Sequence, residues 1–318
     1  MDLNEYTENN GDNYVLFSDI PEICKSQPCV LGIDEAGRGP VLGPMVYGIS
    51  FCPISKNDDL KELGVDDSKV LTEEKREQLL SKLEKNSDYI GWAIHVLSPR
   101  FISSSMYKRS KYNLNSMSHD TAIDLVKLAL EKGVQVSEIY VDTVGPPEKY
   151  QAKLQDIFRS QKVTVAKKAD SLYPCVSAAS ICAKVARDKT LKDWKFPESH
   201  GSDKVEISNE WGSGYPADPV TKKFLRDNFD DVFGFPSIVR LSWKTAENIV
   251  EEKGIKMEFE EVEPEEDPAV AKNPSIKAFF VPNTSSKENK NPKSTKCKLV
   301  RDRNIESMTM ASFMTTNF

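Results

Sequence analysis

Two adjacent carboxylates, Asp34 and Glu35, close a short apolar run made by Val30, Leu31 and Ile33. A Gly37-Arg38-Gly39 turn follows at once. Unpaired charge is costly to bury, so strand interiors rarely carry paired acids. Acids at a strand end beside a glycine turn suit a cation site with backbone close to a ligand. Exposed acids before an ordinary loop would leave the same local pattern. Two further acids stand in comparable places: Asp142 ends the run EIYVD, and Asp170 lies in KKADSLYP, just before a small-residue segment. Singly, Asp142 reads as a turn acid and Asp170 as a helix N-cap. Together, three segments bring carboxylates to strand ends and helix starts, the edges where α/β sheets build sites. Four acids without His or Cys companions suit hard, oxygen-seeking cations, Mg²⁺ or Mn²⁺, rather than zinc. Two-metal phosphoryl transfer is the chemistry such a set serves.

The elements that must hold these acids are short and clearly bounded. Strand patterns rich in Val, Ile and aromatics occupy 30–34, 45–51, 90–97, 138–142 and 163–166, with a shorter candidate at 14–17. Helix patterns lie between them. One opens at Thr72 and runs to Leu83, and a second covers 119–132 and stops at Gly133. A third, over 174–194, is rich in Ala and Ser, so it can lie close to a sheet. Helices at 219–228 and 244–253 follow. The alternation predicts an α/β domain with a mixed β-sheet flanked by helices and a C-terminal helical extension over about 219–253. If Asp34 and Glu35 serve one site, the strand must end or bulge there, because neighbours on a regular strand point to opposite faces. Ala36-Gly37 is the expected place. Residues 1–27 read as a flexible arm and 28–253 as the folded domain. The stretch 254–318 begins with an acidic run and continues rich in Pro, Asn, Ser and Lys, which predicts a mostly disordered tail.

Composition excludes several classes. No apolar run is long enough to span a bilayer, and the acidic start MDLNEYTENNGDN is neither a secretory signal nor a mitochondrial presequence. Six cysteines without a CxxC pair argue against zinc and for a reducing compartment, cytosol or nucleus. The net charge is −6, and the globular part is itself mildly acidic. A nucleic-acid partner would therefore need a local basic patch. Arg100, Lys108, Arg109 and Lys111, interleaved with Phe101, Tyr107 and Tyr112, offer one; a solvated loop is the plainer reading.

Six motifs in order then resemble one family, the type 2 ribonucleases H (ribonuclease HII), most closely its eukaryotic catalytic A subunits. They are GIDEAGRGPVLGP at 32–44, DDSKVLTEEKR at 66–76, YNLNSMSHDTA at 112–122, YVDTVGPP at 140–147, KKADSLYPCVSAASICAKVARD at 167–188 and GSGYPADP at 212–219. The resemblance implies a ribonuclease H-like fold and hydrolysis of the phosphodiester 5′ of a ribonucleotide, in RNA/DNA hybrids or as a lone ribonucleotide in duplex DNA. It implies two divalent cations, Mg²⁺ or Mn²⁺, held by Asp34, Glu35, Asp142 and Asp170, and products with 3′-hydroxyl and 5′-phosphate ends. Gly37, Arg38 and Gly39 match the turn that senses the ribose 2′-hydroxyl. Tyr215 matches a tyrosine that packs on the sugar beside the cut; without the resemblance it would read as a core aromatic. Ser68 and Lys69 match a phosphate-contacting segment, and Asn113 a second contact to the nucleic-acid backbone. The resemblance further implies two accessory subunits in a heterotrimer, docked near 219–253, a nuclear (or also cytoplasmic) location, and a role in ribonucleotide excision repair and primer removal.

In the tail, NPSIKAFFV at 273–281 spaces Ile276, Phe279 and Phe280 as a sliding-clamp-binding peptide does, with Asn273 where Gln is usual. Lys287, Lys290, Lys293, Lys296 and Lys298 could add a weak nuclear-import signal. Two rival readings are another nuclease on the same sheet, which lacks the GRG turn and GSGYP, and a non-catalytic nucleic-acid-binding or assembly subunit, disfavoured because all four acids are present.

Overall fold

A computed structural model of the chain describes residues 1–65, 71–110, 112–199, 207–208 and 210–255. Six strands form one mixed sheet in the order β1-β4-β3-β2-β5-β6. They are β1 Tyr14–Phe17, β2 Cys29–Ala36, β3 Met45–Pro53, β4 Gly91–Leu97, β5 Val136–Asp142 and β6 Lys162–Ala166. The helices among the described residues are α1 Asn4–Glu8, α2 Glu22–Ser26, α3 Asn57–Glu62, α4 Glu73–Lys85, α5 Pro99–Met106, α6 Leu114–Glu131, α7 Pro147–Ile157, α8 Pro174–Lys192, α9 Pro219–Asp227 and α10 Lys244–Lys253. These elements belong to one unit, Met1–Gly254. The strands β1 to β4 pair antiparallel, whereas β5 runs parallel to β2 and β6 parallel to β5.

The central strands read as almost continuous apolar runs because both faces of the sheet are covered. Leu31 and Ile33 of β2 join Tyr47 and Ile49 of β3 in a core shared with Ala122 and Val126 of α6. Val30 and Val46 face the other way, into a core with Val176, Ala183 and Ala186 of α8. The Ala and Ser content of α8 has its use here. A Cβ added at Gly32 would fall 2.2 Å from the carbonyl carbon of Cys175, so the helix backbone rests directly on β2. The helix then runs along the sheet as a rigid support for whatever β2 carries at its end.

Three differences from the sequence reading have physical causes. Residues 1–27 are not a free arm. Leu3 and Tyr6 are buried, β1 adds to the sheet beside β4, and the Asn10 amide donates to the Lys195 carbonyl at 2.7 Å. A few well-placed apolar side chains anchor a stretch whose average composition is polar. Helix α6 starts at Leu114 rather than 119, because Asn113 caps it by accepting from the Ser116 amide at 3.0 Å. Its first turn, LNSMS, is too polar to show helical spacing of apolar residues. Finally, the segment before α10 returns to the loop that joins β2 to β3. Val239 bridges Leu42, the Gly43 amide donates to the Ile238 carbonyl at 2.8 Å, and the Arg240 amide donates to the Val41 carbonyl at 2.9 Å.

Candidate active site

The acids collect where β2 and β5 end. Ile33 pairs with Val141 in parallel register, so Asp34 and Asp142, next along each strand, lie side by side. Asp170 arrives from the loop after β6, on a 3-10 turn at Ala169–Ser171. That turn is entered through Lys168 in the left-handed region, φ 56°. Two bonds fix it: the Ala169 amide donates to Asp142 Oδ1 at 3.0 Å, and the Ser177 hydroxyl of α8 donates to the Asp170 carbonyl at 2.7 Å. Asp34 and Asp170 are buried, Asp142 is half-buried.

Burial pushes the Asp34 carboxyl up to about 7, and the charges of Asp142 and Asp170 add to the rise; the Ser180 hydroxyl and the Glu35 amide oppose it. The Glu35 amide donates to Asp34 Oδ1 at 2.8 Å. Glu35 itself is half-buried and turned to the other face of β2. There its charge reaches Tyr47 and Tyr150, whose phenols burial already pushes up. The strand does end at Ala36, as expected, but it stays regular up to that residue, with Asp34 opposite Gly48 and Glu35 opposite Tyr47. No bulge brings the two carboxylates to one face.

Among the described residues, no three His, Cys, Asp or Glu side chains stand close enough to form a ligand cage unaided. The donor chemistry nevertheless fits a hard divalent cation. Three carboxylates gather without nitrogen or sulfur donors, and the proton affinity of Asp34, raised first by burial, is raised further by neighbours of its own sign. A bound cation would relieve that repulsion.

The glycine turn follows Asp34 and Glu35 along the chain. Gly37 has φ 78°, and a Cβ there would fall 2.2 Å from Nε of Arg187 and 2.7 Å from the Pro44 carbonyl oxygen. The guanidinium of Arg38 is held by α6, donating to the Ser118 hydroxyl at 2.6 Å and to the Asn115 side-chain oxygen. Gly39 is exposed and lies beside Tyr215: a Cβ on it would be 3.1 Å from the tyrosine ring. Tyr215 is 51% exposed, so it is a surface aromatic and not a core one. Its loop is pinned on both sides. The Val41 amide donates to the Gly214 carbonyl at 2.8 Å, the Gly214 amide to the Thr221 hydroxyl at 3.0 Å, and the Ser213 amide and hydroxyl both to Asp218 Oδ2 at 2.6 Å. Asp218 also caps α9 through the Val220 amide, and these donors, Ser213 first, hold its carboxyl down at about 2.

The structure thus brings together Asp34, Asp142 and Asp170 on one face, Glu35 behind them, and Gly37, Arg38, Gly39 and Tyr215 alongside. Asn113 has its side-chain oxygen committed as a helix cap. The expected basic patch is partly spent internally: Arg100 pairs with Asp12, Lys108 lies 5.9 Å over the Tyr112 ring, and the Tyr107 hydroxyl donates to the Leu241 carbonyl at 2.9 Å. Ser68, Lys69, Lys111, Ile276, Phe279 and Phe280 lie outside the described residues. Sequence reasoning missed Ser180, Asn115 and Ser118, which look like ordinary helix polar residues. It also missed Arg240, whose one signal is a charge set in the apolar run SIVRLSW.

A mixed sheet with carboxylates at the ends of two adjacent parallel strands, backed by a small-residue helix, has the ribonuclease H-like architecture. The chain belongs to the ribonuclease HII family, whose profile matches residues 31–246. It is 54% identical over 268 residues to the A subunit of ribonuclease H2 from Mus musculus, covering 84% of this chain and 88% of the relative. Among solved structures, the ribonuclease H2 of Pyrococcus horikoshii matches with a TM-score of 0.58 at 33% identity, over 70% of this chain and 98% of that one. The ribonuclease HII of Archaeoglobus fulgidus, solved in a complex with PCNA, matches with a TM-score of 0.54 at 32% identity, over 69% of this chain and 96% of that one. The chain is accordingly a ribonuclease H of type 2, a metal-dependent hydrolase.

Proposed function

We propose that this chain is the catalytic subunit of an endonuclease that cuts the phosphodiester 5′ of a ribonucleotide, in RNA/DNA hybrids and at single ribonucleotides within duplex DNA. One juxtaposition supports the reading above all. The buried Asp34, raised to about 7, lies three residues from a glycine turn that the exposed Tyr215 flanks. Metal chemistry and sugar recognition can then meet at one phosphate.

Asp34, Asp142 and Asp170, with Glu35 from the opposite face, would hold two divalent cations, Mg²⁺ or Mn²⁺. When bound, these supply the charge that activates water and neutralises a leaving oxygen. The protein's own contribution is placement. Ser180 fixes the Asp34 carboxyl, and the Ala169 amide couples Asp142 to the turn that carries Asp170. The turn at Gly37–Gly39 reads the 2′-hydroxyl, the feature that distinguishes RNA from DNA, and Tyr215 packs on the neighbouring sugar. Base sequence is not read. Such a reaction belongs to ribonucleotide excision repair and to removal of RNA primers, in the nucleus.

Similarity to the A subunits of ribonuclease H2 supports accessory partners, and we place their docking near 219–253. The peptide Ile276, Phe279, Phe280 supplies a clamp-binding segment, a reading favoured by the Archaeoglobus relative solved with PCNA. Clamp pull-down undiminished by Phe279→Ala and Phe280→Ala would remove that part.

The central test is cleavage of a duplex carrying one ribonucleotide, in Mg²⁺, by the chain alone and with its partners. Folded Asp34→Ala and Asp142→Ala variants are expected to be inactive. Undiminished cleavage by either would sink the site assignment.

A further inference from the structure

Arg240 is the largest fully buried side chain of the described residues, at 0% exposure, and its hydrogen bonds go to main-chain carbonyls rather than carboxylates. Nε donates to the Gly43 carbonyl at 2.7 Å, Nη1 to the Arg38 carbonyl at 3.2 Å and Nη2 to the Gly37 carbonyl at 2.6 Å. Trp243 lies against it, ring centroid 4.9 Å from the guanidinium carbon, and the indole N–H donates to the Gly39 carbonyl at 3.0 Å. Three consecutive carbonyls of the glycine turn are therefore drawn to one side by two residues about 200 positions away. A buried guanidinium needs such partners, since desolvating a charge costs several kcal/mol. Burial, with the like charge of Arg187 beside it, pulls the Arg240 proton affinity down to about 9.

Peptide planarity converts this into a statement about the other side of the turn. In a trans peptide the C=O and the following N–H point in opposite directions. With the Gly37 and Arg38 carbonyls aimed at Arg240, the amides of Arg38 and Gly39 are aimed away from it. Neither amide has a hydrogen-bond partner among the described residues. The third carbonyl, of Gly39, precedes Pro40, which has no N–H to present. The result is two adjacent donors without a partner among the described residues, directed away from Arg240, in a turn whose Gly39 lies beside Tyr215.

We infer that Arg240, seconded by Trp243, is the positioning residue for ribonucleotide recognition: it fixes the Gly37–Gly39 carbonyls inward so that the Arg38 and Gly39 amides are preset for the ribose and its phosphate. This rests on the proposed sugar-sensing role of the turn. Arg240 touches no substrate in this scheme. Its effect is on selectivity for the 2′-hydroxyl and not on metal binding.

The test measures binding, in the full-length chain carrying Asp34→Asn so that substrate is not consumed. Affinities are compared for a duplex with one ribonucleotide and the same duplex in all-DNA form. Arg240→Met is expected to reduce the ribonucleotide preference by about tenfold while all-DNA binding changes by less than about twofold. Arg240→Lys, which keeps the charge but cannot reach three carbonyls, should fall between. Trp243→Phe, which keeps the ring and deletes only the indole N–H, should reduce the preference by about threefold, and it decides the matter if Arg240→Met does not fold. A preference unchanged in folded Arg240→Met, or in Trp243→Phe when the former is unfolded, overturns the inference; so does a parallel loss of both affinities. An Asp34→Asn parent with no preference would instead overturn the functional reading itself, and this inference with it.

Discussion

Asp34 and Glu35, neighbours on β2, turn their carboxylates to opposite faces of the sheet: Asp34 toward Ser180 of α8, Glu35 toward Tyr47 and Tyr150. Only Asp34 shares a face with Asp142 and Asp170. Both are proposed metal ligands, and they would reach the cations from opposite faces of β2.

For Asp34→Asn, cleavage should fall by about 10³-fold, while metal-free stability rises. The sign follows from the raised carboxyl. Its folded value of about 7 lies above the ordinary value of 3.8, so ionisation disfavours the folded state. Metal-free wild type loses stability as pH climbs from about 4 to about 7, on the order of a few kcal/mol. The variant escapes that loss. Its advantage in urea unfolding with EDTA should be full at pH 8 and vanish near pH 4. Glu35→Gln should lower activity as well.

Removing the ring in Tyr215→Ala should hurt cleavage at a single ribonucleotide more than cleavage of a long hybrid, by a margin on the order of tenfold. A long hybrid offers many sites and tolerates a looser grip on any one sugar. Equal losses on both substrates would reduce the residue to a structural part.

The loop that presents Tyr215 depends on Asp218. Asp218→Ala deletes the acceptor for Ser213 and the cap of α9, so it should reproduce the substrate pattern of Tyr215→Ala in milder form. Because the Asp218 carboxyl is depressed to about 2, its support is present above about pH 4 and is lost as pH falls toward 2. Steady-state rates on the two substrates, compared at pH 7, give the readout.

Gly32→Ala probes the support under the acids. Its Cβ would meet the α8 backbone at 2.2 Å, and neither partner is a flexible side chain. Destabilisation of about 3 kcal/mol or more is expected from denaturant unfolding, with loss of activity at temperatures where the fold survives.

Much of this architecture could be read from local pattern. The strands announce themselves because runs such as VLGI and YVD are apolar and flanked by turns, and α8 because its small residues recur at helical spacing. The three acids on one face are each legible as a carboxylate at an element's edge. What escapes is long-range. Which face Glu35 takes depends on β2 staying paired to β3 through Ala36, which no local signal fixes. The order of the N-terminal stretch depends on Leu3 and Tyr6 finding a core made elsewhere. The capping role of Asn113 depends on a helix start that its polar first turn conceals. Arg240 holds a turn 203 residues before it, a relation that no window of sequence contains.

That separation orders the making of the enzyme in time. All four acids and α8 have been synthesised by Lys192, but Arg240 leaves the ribosome roughly 50 residues later, about 2–10 seconds at ordinary rates of synthesis. During that interval the nascent chain carries every carboxylate of the proposed metal site while the carbonyls of its glycine turn still lack their anchor. A message or chain cut short between those points would yield a product with the proposed metal-binding acids and without the brace inferred to preset its choice of sugar.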